Sequence, residues 1–117
     1  MRYYLSAVGS DRLTQASMRM DTSGLSAGTK ARIDRLFAPN ERAQAAALIS
    51  ERCTDLPGTR GWPREAIERI QFTALKVSCG SFPELVRAVQ VANTDWRDLL
   101  VAAGFADDTQ AHKYWLR

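Results

Sequence analysis

The sequence has few of the residues that build metal centres and nucleophilic sites. Among 117 residues there are two cysteines and one histidine, His112. A zinc site needs several converging Cys, His or carboxylate ligands, and serine or cysteine nucleophiles need a histidine beside them. No nucleophile elbow, phosphate-binding glycine loop or dinucleotide fingerprint occurs. We therefore predict no metal, no cofactor and no catalytic residue, and we place His112 among polar residues on the surface of the last helix.

The chain also lacks a long apolar run. None approaches the roughly 18–20 residues that cross a bilayer. The first 20 residues lack the apolar centre, about 7–15 residues long, of a secretory signal. We therefore expect a protein that binds no membrane, lies in the cytoplasm and keeps its thiols reduced.

A concentrated surplus of positive charge is missing as well. The chain has 16 basic and 13 acidic residues, and three of the arginines but only one acid lie in the first 20 residues. In the remainder, charges of both signs alternate along every segment. Proteins that neutralise several phosphates need a concentrated basic face, and this pattern predicts none.

The two cysteines, Cys53 and Cys79, each lie on an apolar stripe, where cysteine behaves as a small hydrophobic residue. A helix of about 16 residues between them would separate the two by about 24 Å. A disulfide needs Cα atoms roughly 4.4–6.8 Å apart. The sequence therefore predicts no disulfide and two buried, unreactive thiols.

The regular elements are predicted to be helices, because apolar residues recur at helical spacing between glycine and proline interruptions. No run of alternating β-branched residues indicates a strand. We expect an all-α, compact single-domain bundle of five or six short helices in residues 23–117, with residues 1–22 as a disordered extension. Capping residues and helix-starting prolines place the helix starts near Ser26, Pro39, Pro63, Ser81, Asn93 or Thr94, and Asp107.

A group of arginine and tryptophan residues gives the clearest indication of function in the sequence. Arg60, Trp62 and Arg64 surround the tip of a loop from Thr54 to Trp62, and Trp96-Arg97 begins a later helix. Tryptophan beside arginine is typical of protein interfaces and of platforms for single-stranded nucleic acids. The competing interpretation is structural: Trp96 has core spacing with the leucines after it, and Trp62 precedes a helix start that it could staple.

Two carboxylates, Asp95 and Asp98, lie one helical turn apart. A pair of acids whose pKa values are split can perform acid–base chemistry, which makes an enzyme a further alternative. An acid in the first turn of a helix is also expected from the helix dipole alone.

The segment from Leu99 to Trp115 resembles the second helix-turn-helix of AraC-type transcription activators. Gly104, Phe105 and Asp107 match the turn of that family. Leu100 and Ala111 depart from it, since the family has a small residue and an inward aromatic at those positions. The resemblance implies DNA binding through the helix after the turn.

Together these observations predict a small non-catalytic helical module that binds another protein, as an adaptor or regulator. The predicted contact residues are Arg60, Trp62, Arg64, Trp96 and Arg97. The alternative is a nucleic-acid-binding protein that uses the Leu99 to Trp115 segment.

Overall fold

The structure, a computed structural model, describes residues 25–116. Within this range every regular element is a helix and there is no strand, so the predicted all-α class is confirmed. The extension predicted at residues 1–22 lies outside the described residues. The helices are α1 (Ala27–Leu36), α2 (Pro39–Arg52), α3 (Arg64–Ser78), α4 (Phe82–Ala103) and α5 (Ala111–Tyr114).

Local sequence signals set most of the helix starts. The Ser26 side chain accepts a hydrogen bond from the Thr29 amide at the start of α1, and Ser81 does the same for the Glu84 amide at the start of α4. Pro39 is the first residue of α2. The backbone N–H that proline lacks would have no partner within the helix at this position, so the proline is tolerated there. Pro63 directly precedes α3 in an extended conformation. These starts agree with the predictions.

The core is organised around α3 and α4, which make the most extensive contact in the molecule. Helix α1 packs against α2 and α3, and α2 also packs against α4. This places an apolar face of each of these four helices in one main cluster, whose most deeply buried large side chains include Ile33, Ile49, Ile70, Leu75, Leu85 and Leu99. The removal of these side chains from water is the main contribution to the stability of the bundle.

A second, smaller cluster lies under residues 104–116, which we name the C-terminal arm. Phe105 of the arm packs with Phe72 of α3 and with Leu100 and Ala103 of α4, and Trp115 packs against this group. The arm contains only one helical turn, α5, so the apolar surface that it covers holds it in place more than its own helicity does.

The predicted fourth and fifth helices are one element with a kink. Asp95 has non-helical angles (φ −156°, ψ 97°) in the middle of α4. Its carboxylate accepts a hydrogen bond from the Arg97 amide at 3.1 Å, as an N-cap residue does. The prediction of Asn93 or Thr94 as the cap is therefore corrected: Asp95 has this role, because its carboxylate reaches the amide two residues ahead.

The cysteines have different environments. Both are free thiols. Cys53 is fully buried, and burial raises the pKa of its thiol to about 12. Cys79 is exposed, which corrects the prediction that it is buried. The reason is that α3 ends one residue earlier than its apolar spacing indicates, and Cys79 already has left-handed angles with φ 52°.

Candidate functional site

The two tryptophans that the sequence singled out are in direct contact. The rings of Trp62 and Trp96 meet edge to face, with centroids 4.8 Å apart and planes at 77°. Both side chains are half-buried, with one part against the main core. Each ring has one part packed in the core and one part accessible to a partner. Burial of the two tryptophans is therefore compatible both with a role in the core and with a role in an interface.

An open groove of about 400 Å³ lies beside Trp96, between the Thr54–Trp62 loop and the kink of α4. Its lining consists of Pro57, Gly58, Ala92, Thr94, Asp95, Trp96 and Arg97. Gly58 has φ +79°, and a Cβ atom built on it would lie 4.0 Å from Nε1 of Trp96. The loop backbone thus lies close to the indole edge, in a conformation that glycine adopts readily.

Hydrogen bonds from distant helices hold the loop in this position. Nδ2 of Asn93 donates to the carbonyl of Arg52 at 2.7 Å, which ties α4 to the end of α2 where the loop begins. The buried Gln71 amide of α3 donates to the carbonyl of Cys53 at 3.0 Å and to the Thr54 hydroxyl at 3.3 Å. Both anchors fix residues 52–54, and the chain continues from there to Pro57 and Gly58 in the groove wall.

We expect the Asn93→Ala variant to lose about 1 kcal/mol of unfolding free energy, the usual net contribution of a hydrogen bond in a partly buried setting. Asn93 also donates to the Val89 carbonyl, so the substitution removes one bond within α4 and one between helices. Chemical denaturation followed by circular dichroism measures the loss. Gln90→Ala, at an exposed position of the same helix, is the matched control, and equal losses in the two variants would contradict the anchoring role.

The predicted arginines occupy different places. Arg97 is 74% exposed, and its Nε donates to the Asp95 carboxylate at 3.1 Å. Its guanidinium carbon lies 5.9 Å from the centre of the Trp96 ring, so the cation borders the groove. Arg60 is exposed on the loop. Arg64 lies elsewhere, at a small cavity of about 100 Å³ that Glu68 also lines.

We define the contact face as Arg60, Trp62, Trp96, Arg97 and the groove beside them. Arg64 of the predicted set is outside it, because α3 begins at Arg64 and carries its side chain toward the cavity shared with Glu68. The face joins residues up to 37 positions apart in the chain.

Of the two acids Asp95 and Asp98, Asp95 has a structural role as a helix cap. Asp95 and Asp98 both line an open groove of about 430 Å³ on the outer side of α4. Hydrogen bonds from the Arg97 side chain and from its backbone amide hold the pKa of Asp95 below its ordinary value. A carboxylate stabilised in its charged form is a weak proton acceptor, so this geometry favours the capping role of Asp95.

The C-terminal arm is held by basic side chains that the sequence did not single out. Arg32 of α1 is only 4% exposed, and it donates to the Trp115 carbonyl at 2.9 Å and to the Lys113 carbonyl at 3.3 Å. Arg69 of α3 donates to the carbonyl of Phe105. Nζ of Lys76 lies 4.6 Å from the centre of the Phe105 ring and donates to the carbonyl of Ala103, the last residue of α4. Arg32 shares a face of α1 with the buried Thr29 and Ile33, and this spacing was the one available signal of its burial.

His112 is buried with 2% exposure, which corrects its predicted place on the surface. The aromatic rings of Phe72 and Phe105 lie beside it, with centroids 5.5 and 6.3 Å from the centre of the imidazole. The polar neighbours of His112 in the sequence suggested exposure, but the single turn of α5 directs this one side chain toward α3.

Three further indicators of function are metal ligands, membrane-spanning helices and similarity to known proteins. No three His, Cys, Asp or Glu side chains of this range are grouped as metal ligands. Of the helices described, none combines the length and the apolar character required to cross a membrane. Comparison of the chain with protein-family models, with curated proteins and with solved structures finds no match.

Proposed function

We propose that this chain is a non-catalytic binding module that captures another protein on the contact face. The observation that supports the proposal most is the half-buried Trp62–Trp96 pair beside an open groove. Tryptophan and arginine dominate the binding energy of protein interfaces, most of all where a rigid aromatic ring borders a concave surface. Both rings are already held by the core, so little conformational entropy would be lost on binding.

The chemistry of the face indicates what the partner presents. The groove is lined by the apolar side chains of Pro57, Ala92 and Trp96 together with polar ones, among them the exposed Arg97. Arg60 is exposed on the same loop that supplies Pro57 to the groove. An inserted apolar side chain would gain the buried area, and a carboxylate next to it would gain a charge-assisted hydrogen bond from Arg97. We therefore propose a protein segment that carries an apolar anchor next to an acidic residue.

Reversing the charge of Arg60 and Arg97 tests this function. We expect the double variant Arg60→Glu, Arg97→Glu to bind the partner at least about tenfold more weakly, which corresponds to about 1.4 kcal/mol. The physical reason is that an attractive pair with the partner's carboxylate becomes a repulsive one. The measurement is affinity capture from the native cell with quantitative mass spectrometry, followed by titration of the captured protein against each purified variant.

The matched control is Lys30→Glu, Arg35→Glu, which makes the same change in net charge at two exposed positions of α1. Circular dichroism must show equal helicity in both double variants. If the two variants bind the captured protein equally, the contact face is not where the partner binds.

Nucleic-acid binding, the alternative, has weaker geometric support. In the Leu99 to Trp115 segment the second helix is the four-residue α5. Three basic side chains near this segment, Arg32, Arg69 and Lys76, donate hydrogen bonds to its backbone carbonyls. A gel-shift assay with single- and double-stranded DNA distinguishes the two functions. A complex at about 50 mM salt that is lost at about 200 mM would favour the nucleic-acid alternative over the protein-binding proposal.

A further inference from the structure

His112 is buried without a hydrogen-bond partner on either ring nitrogen. Buried polar atoms are almost always paired in folded proteins, so an unpaired imidazole needs an explanation. A neutral imidazole in this position loses the hydrogen bonds that water would provide. A charged imidazolium would lose far more, because the burial of an unpaired charge is much more costly than that of a neutral polar group.

Most of the charged groups around His112 oppose its protonation. Arg32 approaches from α1, Glu68 and Arg69 from α3, and Lys113 is its neighbour in α5. Three of these four groups are cations. The carboxylate of Glu68 also accepts a hydrogen bond from the Ser26 hydroxyl, so it is partly engaged elsewhere.

Other titratable groups face the histidine through the groove of about 220 Å³ beside it. Glu65 of α3 lines this groove together with Thr109 and Gln110 of the arm. Asp107 and Asp108 lie in the same arm and are exposed. None of these three acids is among the groups that shift the titration of His112, so the balance near the ring remains cationic.

The element that carries His112 is short and is held by tertiary contacts. Three of its carbonyl groups, at Phe105, Lys113 and Trp115, accept hydrogen bonds from Arg69 and Arg32. The apolar contacts are those of Phe105 and Trp115. A segment with one helical turn gains little stability from its own backbone hydrogen bonds. Loss of its tertiary contacts would therefore release the arm without unfolding α1 to α4.

We propose that the C-terminal arm is an acid-sensitive latch, in which protonation of His112 releases residues 104–116 from α1 and α3. Release would uncover Phe72, Leu100 and Ala103, the residues of the second cluster that the arm covers. An apolar surface between α3 and α4 would then be accessible at acidic pH and closed at neutral pH.

The direction of the pH dependence follows from linkage. Burial lowers the pKa of His112 below its ordinary value of 6.5, and repulsion by Arg69, Lys113 and Arg32 lowers it further, while Glu68 opposes the shift. The released arm therefore binds a proton at higher pH than the docked arm does. Docking is fully stable above about pH 6.5 and weakens as the pH falls below it toward the docked pKa.

The test uses the full chain labelled with ¹⁵N and hydrogen exchange of individual amides. The arm is reported by the Phe105 and Trp115 amides, which donate to the carbonyls of Leu100 and His112. The Cys53 amide, bonded to the Ile49 carbonyl, reports the main bundle. After correction for intrinsic exchange, we expect arm protection to fall, by at most about tenfold, from about pH 7.5 to about pH 5.5, with Cys53 unchanged.

The His112→Leu variant removes the titrating group and keeps an apolar side chain of similar size. We expect its arm protection to be the same at both pH values. A flat profile in the natural protein, or an equal fall in His112→Leu, overturns the latch. Should His112→Leu fail to fold, the imidazole titration of the natural protein decides by NMR: a pKa below 6.5 supports the latch and a value at or above it overturns it.

Discussion

The Gly80→Ala variant should lose about 2–5 kcal/mol of unfolding free energy, a large part of the 5–15 kcal/mol typical of a domain. Gly80 links α3 to α4 with φ +83°, and a Cβ atom there would lie 2.5 Å from the Leu36 carbonyl oxygen. The left-handed conformation costs an L-residue roughly 1–2 kcal/mol. Displacing a packed backbone adds roughly 1–3 kcal/mol, since the end of α1 must move.

The Gly104→Ala variant separates these two contributions. Gly104 has nearly the same backbone angle, φ +79°, but a Cβ atom there would meet no other group within 4 Å. We expect this variant to lose only the conformational part, about 1–2 kcal/mol. Chemical denaturation with circular dichroism measures both. Equal losses in the two variants would mean that the approach of Gly80 to α1 has no energetic role.

The Arg32→Met variant is the second substitution with a large expected effect, a loss of about 2–4 kcal/mol. Methionine keeps the length of the side chain but cannot donate the hydrogen bonds to Gly28, Lys113 and Trp115. It also removes the guanidinium, whose carbon lies 3.9 Å from the centre of the Phe72 ring. A hydrogen bond from a charged group contributes about 1.5–3 kcal/mol, and the desolvation cost of the buried guanidinium offsets part of the sum over the three bonds, so the expected net loss is about 2–4 kcal/mol.

The loss in Arg32→Met should be concentrated in the C-terminal arm. Hydrogen exchange at the Trp115 amide is expected to rise more than at the Cys53 amide of the main bundle. Arg35→Met, an exposed arginine three residues further along α1, is the control and should lose less than about 1 kcal/mol. A similar loss in both variants, or uniform exchange along the chain, would refute the idea that Arg32 holds the arm.

The candidate site was only partly accessible to sequence reasoning. The composition around Trp62 and Trp96 indicated an interface, and the rings do lie together. The two residues are 34 positions apart, and the sequence gave no sign of their contact, which depends on how α3 and α4 pack. Arg64 was grouped with Trp62 because it is two residues away, but the start of a helix turns neighbouring side chains in different directions.

Local chemistry determined the helical architecture: serine caps, prolines at first turns and glycine stops act within a few residues, and apolar spacing selects the buried face. The tertiary structure alone decided that Arg32 and His112 are buried and that Cys79 is exposed. The physical reasons differ. Arg32 and His112 are buried because distant segments supply the carbonyls and rings around them. Cys79 is exposed because its helix ends one residue before it.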